Sequence, residues 1–203
     1  MSETAAVTTG FAFSDENLAQ ARAIIGKYPP GRQASAVMPL LMLAQRQSGG
    51  WLPQPALDYV ADFLEMPPIR VYEVATFYTM YRLKPVGRHH VEVCTNISCW
   101  LRGSDDILAA CRERLGIGPG ETSAEGEFSV AEAECLGACV NAPMMQIDRD
   151  YYEDLTPESA IAILDELAAG RTPKPGSQIG RTSSEPRARL DAVSPPPTDT
   201  PIA

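Results

Sequence analysis

Apolar residues recur at helical spacing through the first eighty positions, then switch to strand-like alternation. Ser14, followed by Asp15 and Glu16, has the form of an N-cap with a first turn suited to the helix dipole. Leu18, Ala21, Ile25 and Tyr28 follow near helical spacing until Pro29-Pro30-Gly31 stops the run. Ser35 is placed to cap a second helix, with Pro39 in its opening turn and Leu40, Leu41, Leu43 and Ala44 as its stripe. Gly49-Gly50 ends that helix. A third starts near Pro53 or Gln54 and carries Leu57, Val60, Ala61 and Leu64 on one face. Pro67-Pro68 separates it from a fourth over Ile69 to Met80, with Val71, Val74, Ala75 and Tyr78 apolar. Four short helices with tight turns predict a small helical bundle over residues 14–83. Residues 1–13 lack periodicity and are expected to be disordered.

After Lys84-Pro85-Val86-Gly87 the period changes. His90-Val91-Glu92-Val93 alternates like a strand. Ser104-Asp105-Asp106 caps a helix with Ile107, Leu108, Cys111 and Leu115 facing inward, and residues 116–126 read as loop. Phe128, Val130 and Ala133 mark a second strand, Met144 to Ile147 a third, and the Tyr151 region a short fourth. Pro157 opens a last helix with Ile161, Leu164 and Leu167 inward. Strand, helix, strands and helix in this order predict a small α/β sandwich of thioredoxin-like size over residues 84–170. From Arg171 to the end there are seven prolines and no aromatic residue. Such a segment cannot bury enough apolar surface to fold alone, so residues 171–203 are expected to be a disordered tail or an arm laid along a partner.

Composition narrows the function. Hydrophobic content of 44% is enough to build a core. No apolar run reaches the roughly 18 residues of a membrane span, so direct membrane insertion is not expected. Met1 to Gly10 is polar and has no basic residue, unlike a secretory signal or a transit peptide, so the chain is expected to stay in a reducing cytoplasm. The net charge of −9 argues against nucleic acid as a partner. Residues 171–203 hold five of the 17 basic and three of the 26 acidic side chains, which leaves the first 170 residues with a balance of −11. An acidic body suits docking on a basic subunit face, and it suits solubility equally well.

Four of the five cysteines stand in two short segments, Cys94-Thr-Asn-Ile-Ser-Cys99 and Cys135-Leu-Gly-Ala-Cys139. Thiolates are soft ligands that suit zinc or iron–sulfur clusters. Cys94 comes off a strand end, Cys99 lies just before the helix capped at Ser104, and the second pair follows the next strand. Both loops should therefore meet at one end of the sheet as a four-thiolate site. Gly137 frees the backbone to wrap a sulfur. A 2Fe–2S cluster takes four thiolates. Zinc is the competing occupant, although structural zinc sites favour C-x2-C pairs over x4 and x3 spacing. A thioredoxin-like redox disulfide would need C-x-x-C, and the plant-type ferredoxin spacing is not matched either. Cys111 sits mid-helix on an apolar face and reads as core. His89 and His90 precede the first strand and are expected to meet solvent or an interface rather than metal. No G-x-G-x-x-G follows a strand, so nucleotide binding would fall to a partner.

These segments, together with Gly49-Gly50-Trp51-Leu52-Pro53, Ala75-Thr-Phe-Tyr-Thr-Met-Tyr81 and the continuation Cys139-Val-Asn-Ala-Pro143, resemble the E subunit of respiratory complex I, the proton-pumping NADH:quinone oxidoreductase. The resemblance runs from about residue 14 to 170 and leaves the tail outside. It implies a helical docking domain followed by a thioredoxin-like 2Fe–2S ferredoxin domain. It implies one 2Fe–2S cluster ligated by Cys94, Cys99, Cys135 and Cys139, with no catalytic acid or base. It places FMN and NADH on a neighbouring subunit, with a large iron–sulfur subunit as a further partner. The chain would be an electron carrier, inactive alone, held peripherally on the cytoplasmic side of a bacterial inner membrane. The matching diaphorase subunit of an NAD-linked hydrogenase or formate dehydrogenase is the alternative within the same class, and a zinc-stabilised interaction module is the alternative outside it. Within this fold a cis Ala142-Pro143 bond beside the site is expected. Gly49-Gly50-Trp51 reads as a helix stop with an aromatic cap, and Phe77, Tyr78 and Tyr81 as packing residues.

Overall fold

A computed structural model describes residues 10–186 and divides the chain into two compact units at the Arg88/His89 junction. In the first unit, helices α1 (Asp15–Ile25), α2 (Val37–Gln47), α3 (Gln54–Phe63) and α4 (Pro68–Phe77) follow one another with short turns. The Ser14 hydroxyl caps α1 by accepting from the Asn17 N–H. Ser35 does not cap α2. It lies inside a 3-10 turn, Gln33–Ala36, that runs directly into the helix, and Ala36 at the cap position offers no side-chain oxygen. Gly49 and Gly50 adopt φ +72° and +93°, and the Gly50 N–H reaches back to the Gln45 carbonyl at 2.9 Å. This Schellman-type closure uses the glycines' freedom at positive φ.

Most of the core of this unit comes from the predicted stripes, joined by Leu52 ahead of α3, while Leu18, Ile25 and Val74 are only partly buried and Tyr78 is exposed. Leu40, Leu41, Leu52, Val60, Leu64 and Val71 are fully buried, and burial of each aliphatic side chain stabilises by about 2 kcal/mol. The fourth helix stops three residues earlier than the periodicity predicts. Tyr78 turns extended, because the segment behind it is pinned to α2 by polar contacts that no apolar pattern reports. The buried Gln45 amide donates to the Met80 carbonyl at 3.0 Å and accepts from the Arg82 N–H at 2.8 Å. The Tyr81 hydroxyl donates to the Met38 carbonyl at 3.0 Å. The disordered N-terminus expected for residues 1–13 is corrected over its last three residues. Phe13 is buried and packs edge-to-face on Tyr59 and Phe63, Phe11 packs on Tyr59, and Gln47 holds the Ala12 carbonyl. Residues 1–9 lie outside the described range.

The second unit is a mixed five-stranded sheet in the order β2-β1-β3-β4-β5, built from β1 (His89–Cys94), β2 (Phe128–Ala133), β3 (Met145–Ile147), β4 (Asp150–Glu153) and β5 (Gly176–Ser177). Strands β1 and β2 are parallel, with Cys94 opposite Ala133. Strand β3 runs antiparallel to β1, β4 antiparallel to β3, and β5 parallel to β4. Helices α6 (Ser104–Leu115) and α7 (Pro157–Ala168) pack together over the face carrying Val91, Val93, Phe128, Val130, Met145 and Ile147. Thr156 and Ser159 close a capping box ahead of Pro157 at the start of α7. Cys111 is buried in this core, which pushes its thiol up to about 11.

Three features depart from the expectations of the sequence. β1 begins at His89, one residue before the alternation from His90, so neither histidine precedes the strand, and both engage Asp148 in the β3–β4 turn. In α7 the core positions are Ala160, Ile163, Leu164 and Leu167, with Ile161 only partly buried. The expectation of a structureless tail from residue 171 is corrected as far as residue 186. Gly176 and Ser177 extend the sheet along β4, and Arg181 forms a buried ion pair with Asp154. These attachments are backbone and ionic, so a count of apolar residues could not find them. Residues 187–203 lie outside the described range.

Tyr81 supplies a test of the helical unit. Burial, with Tyr78 adding to it, raises its hydroxyl from 10 to about 12. The folded state therefore keeps a proton that the unfolded state gives up, so this contribution is complete below pH 10 and is lost as pH rises towards 12. Tyr81→Phe is expected to cost about 1 kcal/mol at pH 8 through the abandoned Met38 carbonyl. It should also flatten the decline in stability above pH 10, read by urea unfolding at a series of pH values. An unchanged alkaline slope would overturn this assignment.

Candidate metal centre

Parallel strands point their C-terminal ends the same way, and the two cysteine segments leave β1 and β2 at that shared end. Cys94 is the last residue of β1, and its N–H donates to the Met144 carbonyl at 3.2 Å. The Thr95 N–H donates to the Ala133 carbonyl at 3.1 Å, which ties the root of the first segment to the root of the second. Cys135 follows two residues beyond Ala133.

The first segment contains an element that the sequence pattern does not announce, the short helix α5 (Ile97–Leu101). Asn96 caps it through its side-chain oxygen, at 2.7 Å from the Ile97 N–H. Five residues with Ile97, Trp100 and Leu101 exposed give no amphipathic stripe, which is why periodicity does not report this helix. The helix turns Cys99 inward beside Cys94. Both thiols are buried, and they share a small apolar cluster with Ala142 and Met144. Burial, then the hydrogen bond to Cys94, pushes Cys99 up to about 12, with Cys139 also contributing.

The second segment is more open. Cys135 and Cys139 are exposed, and Cys139 begins a 3-10 turn, Cys139–Asn141. Gly137 between them takes φ +82° with no atom within 4 Å of where a Cβ would stand. The Tyr151 hydroxyl, on β4, donates to the Leu136 carbonyl at 2.7 Å. Tyr151 is raised above its ordinary value by burial first, then by Glu92, Cys135 and Cys94, so it stands among the cysteines as well as under the loop. The Ala142-Pro143 bond is cis, as expected.

The structure thus brings Cys94 and Cys99 into contact and sets Cys139 close enough to bear on Cys99. Among the described residues no group of three or more His, Cys, Asp or Glu side chains is gathered closely enough to hold a metal ion. His89 and His90 enter at the opposite end of β1, about 16 Å and about 13 Å from Cys94 by strand rise. Of the aromatic motif, Tyr81 is core, whereas Phe77 and Tyr78 are exposed. Sequence reasoning missed Tyr151, whose spacing from Leu136 carries no local signal.

A family model for the thioredoxin-like 2Fe-2S ferredoxins matches residues 21–168. The chain belongs to this family. Its relatives include the NADH-quinone oxidoreductase E subunit of Rickettsia bellii, 62% identical over 159 residues that cover 78% of this chain and 95% of the relative. The E subunit of Rickettsia felis is 57% identical over 162 residues, covering 80% of this chain and 97% of the relative. The chain therefore belongs among the E subunits within the ferredoxin family, as its motifs imply. A solved NAD+-reducing NiFe hydrogenase superposes with a TM-score of 0.56 at 21% identity, covering 64% of this chain and 23% of the hydrogenase chain, a likeness of fold alone.

One 2Fe–2S cluster is the cofactor of this family, and the donor set fits it. Four thiols lie on two loops that leave adjacent parallel strands at one end of the sheet. The loop geometry supplies a second test. Gly137→Ala has room for its methyl group but forces a side chain into the left-handed region, at about 1–2 kcal/mol. Thermal unfolding of the metal-free protein should fall accordingly, and the variant should purify with less iron per chain. Wild-type stability and iron content would show that the loop does not need this conformation.

Proposed function

We propose that this chain is the electron-carrying E subunit of an NADH-quinone oxidoreductase, in which Cys94, Cys99, Cys135 and Cys139 ligate one 2Fe–2S cluster. The observation that carries the reading is 62% identity to such an E subunit across 95% of that relative's length, joined to cysteine loops that leave adjacent parallel strands. Bound there, the cluster supplies one-electron chemistry, exchanged with the FMN of a neighbouring NADH-binding subunit.

The chain's own residues bind, orient and insulate. Cys94 and Cys99 come from a desolvated pocket where burial holds Cys99 protonated in the metal-free protein, so loading releases protons. Cys135 and Cys139 close from the exposed side. Ile97, Trp100, Leu101 and Val140 surround the cysteines with exposed apolar surface, suited to excluding water when a partner covers it. On the helical unit, Ile69, Phe77, Met80 and Leu83 are also exposed and suit a docking role for residues 14–83, with residues 84–170 as the ferredoxin domain. A large iron–sulfur subunit is the second proposed partner. Among the described residues no helix is long and apolar enough to cross a membrane; the proposed position is peripheral, on the cytoplasmic side. The hydrogenase reading has only a shared fold behind it.

Iron, acid-labile sulfide and EPR on anaerobically purified protein test the ligand set. The wild-type chain is expected to hold about two irons and two sulfides, with a signal that appears on dithionite reduction. Cys139→Ser should lose or alter that signal, whereas Cys111→Ala should keep it. A Cys139→Ser variant with full iron, full sulfide and an unchanged spectrum would remove Cys139 from the ligand set. Stoichiometric zinc without sulfide in the wild-type chain would end the electron-carrier reading.

A further inference from the structure

Beyond α7 the chain enters a segment whose composition predicts only a loose tail, yet polar contacts fasten it beside the second cysteine loop. We propose that residues 176–186 form a strap that fixes this loop, with Arg181 as the positioning residue through which the strap acts on Cys139; the role rests on Cys139 being a cluster ligand. The side chains of Arg181 and Asp154 are 7% and 4% exposed. The Arg181 Nε donates to Asp154 Oδ2 at 2.9 Å and its Nη2 to Asp154 Oδ1, a two-point fork. Ser177 adds its hydroxyl to Asp154 Oδ2 at 2.7 Å and accepts from the Arg181 N–H at 3.1 Å. The pair is thus satisfied from the strap itself, as a buried pair must be to offset its desolvation.

The guanidinium does more than neutralise Asp154. Nη2 also donates to the Val140 carbonyl at 3.3 Å, one residue beyond Cys139, and Nη1 donates to the Glu185 carbonyl at 3.0 Å. Asn141, next along, is buried. Its Nδ2 donates to Glu153 Oε2 at 2.6 Å and to the Ser183 carbonyl of the strap at 2.8 Å. Its own carbonyl accepts from the Asp154 N–H at 2.7 Å. The Cys139–Asn141 turn is therefore held by β4 on one side and by the strap on the other. The Cys94 and Cys99 pair needs no such device, since apolar burial already seats it. The second loop has exposed cysteines, and the strap supplies what its packing lacks.

Arg181→Lys separates positioning from charge. Lysine keeps the cation and one contact to Asp154, but a single ammonium cannot also bridge Val140 and Glu185. Three readouts on the full chain decide the matter: far-UV CD for folding, cluster release to an iron chelator under reducing anaerobic conditions, and the EPR-monitored midpoint potential. The variant should fold, release iron about tenfold faster than wild type, as is common when an outer-shell partner is lost, and show a shifted potential. Asp154→Asn should do the same from the other side of the pair, since asparagine tolerates the φ of +55° at that position. Wild-type release and potential in both variants would overturn the positioning role. Trypsin with intact-mass readout tests the strap without the cluster. The Arg181–Thr182 bond should be spared in wild type and cut in Asp154→Asn, and prompt wild-type cleavage there would overturn the strap. A wild-type chain without iron and sulfide would overturn the ligand assignment and with it the positioning role, while the trypsin result would still decide the strap separately.

Discussion

Parallel pairing of β1 with β2 is the constraint on which the arrangement of thiols depends. A hairpin would have sent the two cysteine loops to opposite ends of the sheet. A parallel pair requires a crossover, and α6 provides it, returning the chain to the starting edge so that both strands deliver their loops at the same end. The register is set by burial, since Val91 and Val93 face the helices alongside Val130, Met145 and Ile147. A slip of β1 by one residue would turn Val91 and Val93 to the other face and carry Cys94 away from Ala133. The core of the unit and the placement of its chemistry are therefore the same fact.

Much of this was legible in the sequence because long amphipathic elements report their own burial. Leu40, Leu41, Val60, Leu64, Ile107 and Leu164 are core residues where the periodicity places them. The cysteine spacing with Gly137 marked the loops, and the motifs marked the family. Most of what the sequence does not show has one physical character: contacts made by polar groups between residues far apart in the chain. Gln45 holding the 80–82 segment, Tyr151 holding Leu136, and Arg181 holding Asp154 and Val140 leave no periodic trace. The helix α5 escaped for a different reason, being too short to show a stripe and exposing its apolar residues. Phe11 and Phe13 were passed over because aromatic residues ahead of a helix cap belong to no period, yet they close the face of α3.

The two cysteine loops differ in what holds them, and the difference accounts for the rest of the site. Cys94 and Cys99 sit in a pocket so desolvated that Cys99 rises to about 12, so the protein alone does not favour thiolate there. In the proposed ligand set a cationic metal would provide that preference, and the pocket would in return fix the position of the two sulfurs by packing. Cys135 and Cys139 are themselves exposed, and their loop packs on the Cys94–Cys99 cluster mainly through the partly buried Leu136 and Ala138. Their positions depend also on directed bonds: the Tyr151 hydroxyl on Leu136, and the Asp154, Asn141 and Arg181 network on the turn that follows Cys139. Directed bonds suit this place because the neighbouring apolar side chains, Val140 and Trp100 among them, face outward and cannot serve as packing for the loop. A surface that leaves its apolar residues free for a partner has to be held from behind by polar contacts, and β4 with the strap beside it is where the chain provides them.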